Sequence, residues 1–487
     1  MLLIKAALSI IALAVIGRSY LRLLPPQSTS WPLPEKWGLS WLIGAGVFGW
    51  MANLSLLLSG RVPALLWALF GSVVLVDATI HYRSIWSFRP FRPSISCGPL
   101  LSGIRKIPFD PNDTRINVAA LASLAFLVLQ SIYLAISSLS YTRGWDGAII
   151  WDMKAKAIYF DSGRRPGALM AYLNSPTYIY PHLDYPLLLP SSDAWVYFWT
   201  GTANEQALKL IGPAFMISLL ALLATHLRRI LPTAYALLFA CLLTTAPFLC
   251  NLSKTGYADI PLAAMAGAAA AYGADYLRRQ TSSSALLMSL FTGFAILTKK
   301  EGALIAVVML IAMTLALLFS RKLSDVLKFV LKAACFVSVI AGPWFLFLMI
   351  HKIQGVDFAP TTFAVLTANW KRFVEVIAFI PKIMSEKEVF GRFWLVVTVA
   401  VLTGAPRWNR PNVIFLGLIC FGYLAAISST FIFSSWNPYW AHVESSLPRL
   451  VMHIAPIAVL FAGHSFAEQF FDNHPKQPAI SSSFRRT

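Results

Sequence analysis

The amino-acid sequence predicts an all-α membrane protein, a polytopic transmembrane helical bundle of about 13 spans. Of its 487 residues, 57% are hydrophobic and only 13% are charged, whereas a soluble domain has roughly 25% charged residues. The apolar residues form long uncharged blocks, such as 302–320 and 413–433. Each block matches the ~20 apolar residues that a helix needs to cross the hydrocarbon core of a bilayer.

The hydrophobic segments place the spans in a definite order along the chain. They lie at residues 2–24, 38–59, 62–80, 116–140, 206–227, 231–252, 260–277, 284–298, 302–320, 326–350, 389–404, 413–434 and 447–468. The first has Lys5 before its apolar run, as a signal sequence does, but Arg18 and Arg22 follow without a recognisable cleavage site. We therefore expect a retained membrane anchor.

The basic residues predict the orientation. Lys and Arg number 40 against 21 Asp and Glu, for a net charge of +19. In a soluble protein this balance would suggest nucleic acid, but no nucleic-acid-binding module is recognisable, and surplus Lys and Arg mark the cytoplasmic loops of membrane proteins. Basic clusters occur at 83–115, 228–229, 278–279, 321–322, 407–410 and 485–486. Alternation then places the loops 141–205, 351–388 and 435–446 outside.

These loops divide the chain into three regions. Residues 1–115 hold extra N-terminal spans and a basic cytoplasmic loop, 116–350 form the core with the large outer loop 141–205, and 351–487 form the C-terminal spans. The outer loop contains six carboxylates between 141 and 205 and 13 aromatic residues between 141 and 199. Trp and Tyr favour the membrane interface, and carboxylates beside aromatic rings also suit polyol binding. We expect any reaction centre on this face.

The richest segment of the outer loop is 144–161, directly after the fourth span. Wound as a helix, it puts Asp152 and Lys156 one turn apart, so we expect them to form an ion pair. Asp146 lies on another face, at the start of this helix. From spacing alone, Asp146 is equally well explained as a helix N-cap or as a functional carboxylate.

A second segment, 180–190, places His182 and Asp184 between prolines in a rigid, extended turn. A histidine and an acid in such a turn can hold a phosphate or a metal; the simpler alternative is a hydrogen-bonded loop. The apolar stretch 187–200 is too short to span the membrane, so we expect an interfacial helix.

Further ionisable residues lie at the ends of later spans. Lys254 and Asp259 flank one hairpin, and Glu301 follows two lysines at another. Residues 436–444 end in Glu444 and run into Arg449 at the start of the last span. Ionisable groups at membrane depth are costly and commonly face a cavity or a partner, whereas a hairpin lysine at the interface is often only snorkelling.

The order of these motifs resembles the GT-C superfamily of membrane glycosyltransferases, in the branch of protein O-mannosyltransferases and bacterial aminoarabinose transferases. The matching features are an acid after a span, a Pro-rich turn, an aromatic amphipathic stretch, an Asp hairpin and a Leu-Thr-Lys hairpin. In this sequence they are Trp145-Asp146, His182-Leu-Asp-Tyr-Pro186, 187–199, Tyr257-Ala-Asp259 and Leu297-Thr-Lys-Lys-Glu-Gly302. The sequence departs from the pattern in its three extra N-terminal spans, in Trp-Asp-Gly replacing an Asp-Glu pair, and in ending about 20 residues after the last span.

The resemblance implies transfer of a sugar from a polyprenyl-phosphate donor to a glycan, lipid or protein acceptor on the outer face of the membrane. Such transfer needs a carboxylate at the acceptor hydroxyl and cations at the departing lipid phosphate. We assign Asp146 as the catalytic base. The donor phosphate is assigned to Lys154, Lys156, His182 and Arg449, and sugar positioning to Asp184, Asp259, Glu301 and Glu444. A divalent metal cation held by Asp146 with Asp184 remains an open alternative.

Two other functional classes compete with this interpretation. A transporter or lipid flippase would also combine many helices with a few buried charges, but such proteins usually show internal repeats, and none is convincing here. A glycan ligase or polymerase of the O-antigen type would place its large, Arg-rich and His-rich loop late in the chain, whereas here the larger loop comes early. We expect a multi-pass protein of the bacterial inner membrane, with its site on the periplasmic side.

Overall fold

The computed structural model describes residues 1–24, 31–86, 114–175, 177, 182–319 and 321–471. Residues 87–113, the main part of the predicted basic cluster 83–115, lie outside these ranges, as do Tyr180 and the basic C-terminal tail. The α-helices are α1 Leu2–Leu23, α2 Leu33–Ser59, α3 Ala64–Trp86, α4 Thr114–Ser140, α5 Met153–Asp161, α6 Ala168–Leu173, α7 Leu188–Thr200, α8 Ile211–Leu227, α9 Thr233–Leu243, α10 Pro247–Thr255, α11 Asp259–Arg279, α12 Ser282–Thr298, α13 Glu301–Leu318, α14 Leu323–His351, α15 Phe363–Ser385, α16 Lys387–Phe390, α17 Phe393–Thr403, α18 Pro411–Thr430, α19 Tyr439–Met452 and α20 Ala455–Phe470.

The all-α prediction is confirmed. The β-structure of the described residues is one isolated antiparallel bridge between Phe358 and Ser434. A π-helical turn, Gly147–Asp152, precedes α5, and 3₁₀ turns occur at Glu205–Leu210, Ala405–Arg407 and Phe431–Phe433. The molecule is therefore built by packing helices against each other.

Every predicted span coincides with helix, but the count of 13 is not supported. Among the described residues, seven helices are long and apolar enough to cross a membrane, or up to nine when the bent pairs α9–α10 and α19–α20 each count as one span. Three further apolar helices, Ala64–Ile80, Ser282–Thr298 and Phe393–Thr403, are shorter. Hydropathy along the sequence locates helices well, but it does not distinguish a complete crossing from a half-length one.

Helix α11 lies at the centre of the bundle. Every residue from Asp259 to Tyr276 is buried, and the helix packs against α8, α12, α18 and α20. Its run of alanines and glycines lets neighbouring helices approach closely: Gly267 lies against Pro456, and Gly273 against Phe415. Because α11 rises 1.5 Å per residue, its two aspartates, Asp259 and Asp275, lie about 24 Å apart along one rigid element.

Two loop predictions need correction. The stretch 187–200 is a helix, α7, but most of it is buried because it packs between α2 and α5. Its Trp195 stacks on Trp67 with ring centroids 5.9 Å apart. The predicted loop 351–388 contains the 23-residue helix α15. Both helices hold loop segments against the bundle, at the end where the sequence motifs of the large outer loop meet.

Candidate active site

A cavity of about 640 Å³ opens at one end of the bundle. Five separate segments line it: the start of the large loop, the 182–185 turn, the hairpin between α12 and α13, the segment 356–358, and the region from the end of α18 into α19. Of the predicted site residues, Asp146, His182, Glu301 and Arg449 line this cavity. These four lie up to 303 positions apart in sequence, so only the fold brings them together.

Asp146 forms an ion pair with Arg449 across the cavity wall. Each side chain keeps 19% of its surface exposed, and the Arg449 guanidinium lies 5.3 Å from the centre of the Tyr257 ring. Asp146 has helical backbone angles and makes no capping hydrogen bond, so the N-cap alternative is wrong. The backbone just before Asp146 is held in place, because the Gly144 amide donates to the Thr255 carbonyl at 2.9 Å.

The predicted pair of Asp152 and Lys156 is confirmed. Lys156 Nζ lies 3.1 Å from Asp152 Oδ2 and 3.0 Å from Glu205 Oε1. The Tyr197 hydroxyl also donates to Asp152, and burial raises the pKa of the Asp152 carboxyl. These contacts hold α5 against α7, and neither Asp152 nor Lys156 lines the cavity.

Lys154 also lies outside the cavity lining, although we predicted it at the donor phosphate. Its side chain is fully buried, and its Nζ donates to the carbonyl oxygens of His182 at 2.6 Å and Tyr185 at 2.9 Å. Burial lowers the pKa of its amine well below the usual value. Nearness to Asp146 in sequence was misleading because the intervening π-helical turn uses more residues per turn than an α-helix. In the structure Lys154 fixes the turn that carries His182.

The 182–185 turn presents His182 to the cavity and keeps Asp184 behind it. His182 adopts a left-handed backbone with φ of 45°, which is uncommon outside glycine and often marks functional sites. Its ring stacks on Tyr185 with centroids 4.9 Å apart, and its Nδ1 lies 3.2 Å from Asp357 Oδ2. Asp184 forms an ion pair with Lys300 and does not line the cavity.

Lys299 and Lys300 line the cavity, and the sequence analysis did not assign them to the phosphate. Lys299 Nζ lies 3.1 Å from Asp259 and 3.2 Å from Glu301. Burial alone would lower the pKa of Lys299, but these two carboxylates outweigh burial and raise it. Lys300 has its pKa lowered, chiefly by burial, and its Nζ lies 5.2 Å from the centre of the Tyr185 ring. The Leu-Thr-Lys hairpin was the signal that pointed to them.

The remaining predicted positioning residues occupy different places. Asp259 is 2% exposed and lies behind the wall, where it also accepts from His453 Nε2 at 2.8 Å. Glu301 is on the lining, paired with Lys299. Glu444 is exposed on α19 and does not line the cavity.

Asp357, Trp436 and His442 also line the cavity. Asp357 was missed altogether, whereas Trp436 and His442 belong to the segment 436–444, which the sequence singled out without giving these two residues a role. The Trp436 indole nitrogen donates to Asp357 Oδ1 at 3.1 Å, and its ring stacks on His442 with centroids 4.9 Å apart. The backbone supports this contact, because the Ser435 amide donates to the Asp357 carbonyl at 2.9 Å. No local signal marks Asp357, since its partners come from distant segments.

The carboxylates proposed as metal ligands each contact a cation instead. Asp146 is paired with Arg449 and Asp184 with Lys300. Within the described ranges, no three His, Cys, Asp or Glu side chains converge as metal ligands would. A cation bound by Asp146 and Asp184 would have to displace both of these partners.

The chain is similar to one known protein family in sequence and to a solved structure in fold. Residues 197–347 match the family model described as dolichyl-phosphate-mannose-protein mannosyltransferase. The structure is also similar to the crystal structure of ArnT from Cupriavidus metallidurans bound to undecaprenyl phosphate, with a TM-score of 0.50 and 17% sequence identity. The predicted resemblance is confirmed.

The structural likeness shows that the chain has an ArnT-like fold. It covers 70% of this chain and 59% of the ArnT chain, so the chain aligns with little more than half of ArnT. No curated protein sequence matches. The family match includes Asp259, Lys299, Lys300 and Glu301, and it ends before Arg449. Asp146 and His182 lie before its start.

Proposed function

We propose that this protein is an integral membrane glycosyltransferase that transfers a sugar from a polyprenyl-phosphate donor to an acceptor on the outer face of the membrane. The observation that carries the proposal is the cavity itself, into which distant segments bring Arg449 and two lysines, two histidines and a set of carboxylates. The ArnT-like fold supports it, because the ArnT structure was solved with undecaprenyl phosphate bound. The acceptor class, whether glycan, lipid or protein, stays open.

Arg449, Lys299 and Lys300 form the phosphate side of the proposed site. When the bond between the sugar and the lipid phosphate breaks, negative charge develops on the phosphate, and preorganised cations stabilise that charge. Each cation is held in place by a carboxylate, which fixes its position before the donor arrives: Asp146 for Arg449, Asp259 for Lys299 and Asp184 for Lys300. In this scheme Asp184 and Asp259 act through the lysines that they position.

Asp146 is the carboxylate proposed at the acceptor hydroxyl, where it orients the hydroxyl or takes its proton. Glu301 is proposed to contact a hydroxyl of the transferred sugar, since it shares the cavity wall with the cations. The apolar residues of the lining, Leu304, Ile427, Phe431 and Leu450, suit the first isoprenoid units of the donor lipid.

An in-membrane transfer assay with radiolabelled polyprenyl-phosphate sugars tests the proposal. We expect the wild type to move label to an acceptor, and Asp146→Asn to lose at least about a hundredfold of this activity, whether the carboxylate orients the hydroxyl or takes its proton. Asp325→Asn is the matched control, because Asp325 is an exposed carboxylate at the start of α14 that does not line the cavity. Equal expression of the three proteins is confirmed first.

The alternatives predict different results in this assay. Labelled lipid that crosses the bilayer without transfer would favour a flippase. Transfer that requires a diphosphate-linked glycan would favour a ligase or polymerase. Transfer unaffected by Asp146→Asn would keep the enzyme class and remove Asp146 from the site.

We further propose that the cavity faces the periplasm of a bacterial inner membrane. We also propose that the three shorter apolar helices and α11 complete a 13-span topology. The support for the orientation is that the lining segments coincide with the loops that alternate with the short basic loops and are therefore predicted on the outer side. In a cysteine-free background, Thr361→Cys should react with a membrane-impermeant maleimide in intact cells. Ser324→Cys should react only after permeabilisation, and the reverse pattern would invert the topology.

A further inference from the structure

His182 differs from Lys299, Lys300 and Arg449 on the cavity lining, because a histidine can be neutral near pH 7. The lining contains a second histidine, His442, but its side chain is buried and its Nδ1 lies 2.8 Å from the Ser434 hydroxyl. The Nδ1 of His182 is buried and makes no hydrogen bond to the described residues, but it lies 3.2 Å from Asp357 Oδ2, so the carboxylate acts on it through charge. The side chain nevertheless keeps 17% of its surface exposed and lines the cavity. The exposed part of the ring is therefore away from Nδ1, which leaves Nε2 as the nitrogen available for chemistry.

The backbone of His182 is held in its unusual conformation from two sides. Its carbonyl oxygen accepts from Lys154 Nζ at 2.6 Å and from the Tyr185 amide at 2.9 Å. The ring of Tyr185 stacks on the imidazole and on Trp151, at 5.4 Å between centroids. A left-handed residue persists only where its surroundings fix it, and here a fully buried lysine serves that purpose.

Asp357, which comes from a different segment of the cavity wall, is held just as firmly. Its Oδ1 accepts from the Trp436 indole at 3.1 Å, its carbonyl accepts from the Ser435 amide, and the Ala359 amide donates to the Phe433 carbonyl at 2.7 Å. Only 13% of the Asp357 side chain is exposed. A carboxylate placed at one imidazole nitrogen favours the tautomer with its proton there and makes the other nitrogen the base.

We propose that His182 is the base that receives the proton of the acceptor hydroxyl, and that Asp357 is the positioning residue that sets its tautomer. The inference rests on the proposed function and on a hydroxyl acceptor. In the step, the acceptor oxygen bonds to the anomeric carbon as its O–H bond breaks. The carbon–oxygen bond to the lipid phosphate breaks, its electron pair stays on the phosphate, and the proton goes to His182 Nε2. The imidazolium then returns its proton to water.

Asp146 keeps a separate task in this scheme. Its carboxylate is already paired with the Arg449 guanidinium, which holds it in position at the cavity wall. Asp146 orients the hydroxyl and His182 takes the proton. Burial lowers the pKa of His182, with Lys154 and Lys300 acting in the same direction and Asp357 and Asp146 opposing them. The ring is therefore neutral at pH 7 and able to accept a proton.

Dependence of transfer on pH separates the two candidate bases. With His182 as the base, kcat/KM falls on the acid side with a midpoint below the usual histidine value of about 6.5, whereas an ordinary carboxylate titrates near 4. Asp357→Asn removes the nearby negative charge, so the acid limb moves to lower pH and kcat falls about tenfold. A midpoint near 4 in the wild type would overturn the inference.

Chemical rescue provides the second readout. His182→Gly suits the left-handed backbone and leaves space for a free imidazole in the cavity. We expect a loss of at least about a hundredfold and recovery when imidazole is added, while His182→Lys stays inactive. Recovery by lysine but not by imidazole would overturn the inference in favour of a phosphate ligand. Undiminished transfer by His182→Gly would overturn the inference alone, whereas no transfer by the wild type would overturn the proposed function with it.

Discussion

Two clusters of buried charge lie at the two ends of helix α11, and they differ in what surrounds them. The cavity cluster contains Asp146, His182, Lys299, Lys300 and Arg449 with their partner acids. The buried cluster, at the other end, contains Glu35, His226, Arg229, Tyr272, Asp275, Asn412, His464 and Glu468. Both are built from the same kinds of residue, yet only the first borders the 640 Å³ cavity.

The contacts of the buried cluster are internal. Arg229 bridges Glu35 and Asp275, and the Tyr272 hydroxyl donates to Glu35 at 2.7 Å. His226 and His464 meet with their Nε2 atoms 3.4 Å apart. The Glu35 side chain is fully buried, whereas Asp146 and Arg449 are each 19% exposed. These contacts join α2, α8, α11 and α20.

This difference teaches how to interpret ionisable residues inside a membrane protein. Such residues are functional candidates by default, and by composition the two clusters are equal candidates. The distinction lies in whether the charged groups keep a face toward open space. We infer that the buried cluster joins helices and that the cavity cluster performs the chemistry. Matched substitutions in the two clusters test this distinction.

The largest expected effect is on Arg449, which we substitute with alanine. Removing a preorganised cation from a developing phosphate charge should lower kcat by about a hundred- to a thousandfold, with thermal stability changing much less. Arg449→Lys should recover part of the loss, since it restores the charge without the planar fork. Transfer by Arg449→Ala within threefold of wild type would place the phosphate elsewhere.

The matched substitution, Arg229→Ala, should act on stability instead. It leaves Glu35 and Asp275 buried without their partner, and breaking a buried pair costs about 3–5 kcal/mol. Thermal unfolding in detergent should show a clearly lower midpoint, while the kcat of the protein that remains folded stays near the wild-type value. A stable variant that has lost transfer would mean that the buried cluster takes part in catalysis.

The alkaline side of the pH profile tests Lys300. Burial lowers its pKa, so as pH rises its positive charge disappears earlier than that of an exposed lysine. Transfer should therefore decline at a pH below the usual lysine value of about 10.4. Lys300→Arg should extend activity to higher pH, because guanidinium stays charged. An unchanged pH profile in this variant would show that deprotonation of Lys300 does not cause the loss of transfer at high pH.

The smallest effect is expected from removing metal ions. Because Asp146 and Asp184 are already engaged by Arg449 and Lys300, we expect EDTA to change the transfer rate by less than about twofold, well below the factor of ten that corresponds to 1.36 kcal/mol. Loss of activity in EDTA that Mg²⁺ or Mn²⁺ restores would show that a metal displaces these ion pairs.

Much of the fold was predictable because long apolar segments have few alternatives to helix. Three cavity residues, Asp146, Glu301 and Arg449, were also found from charge at the ends of spans, and His182 was found from its proline-bracketed turn. The pair of Asp152 and Lys156 followed from helical spacing alone. These inferences used properties of a single segment, which a sequence displays directly.

The predictions that failed concern features that depend on more than one segment. Lys154 was predicted at the phosphate but is buried away from the cavity, whereas Lys299, which was given no role, lines it. Asp357 gains its role from His182 and Trp436, which are 175 and 79 positions away. Helix α7 is buried because α2 and α5 cover it. Each depends on packing between distant segments, which local pattern does not encode.

The most direct test of the account is a structure of the protein with a polyprenyl phosphate bound. We predict the phosphate within hydrogen-bonding distance of Arg449, Lys299 and Lys300, with the lipid chain against Leu304, Ile427 and Leu450. The buried cluster should remain unchanged. A phosphate located outside the cavity, or bound at Arg229, would contradict the account.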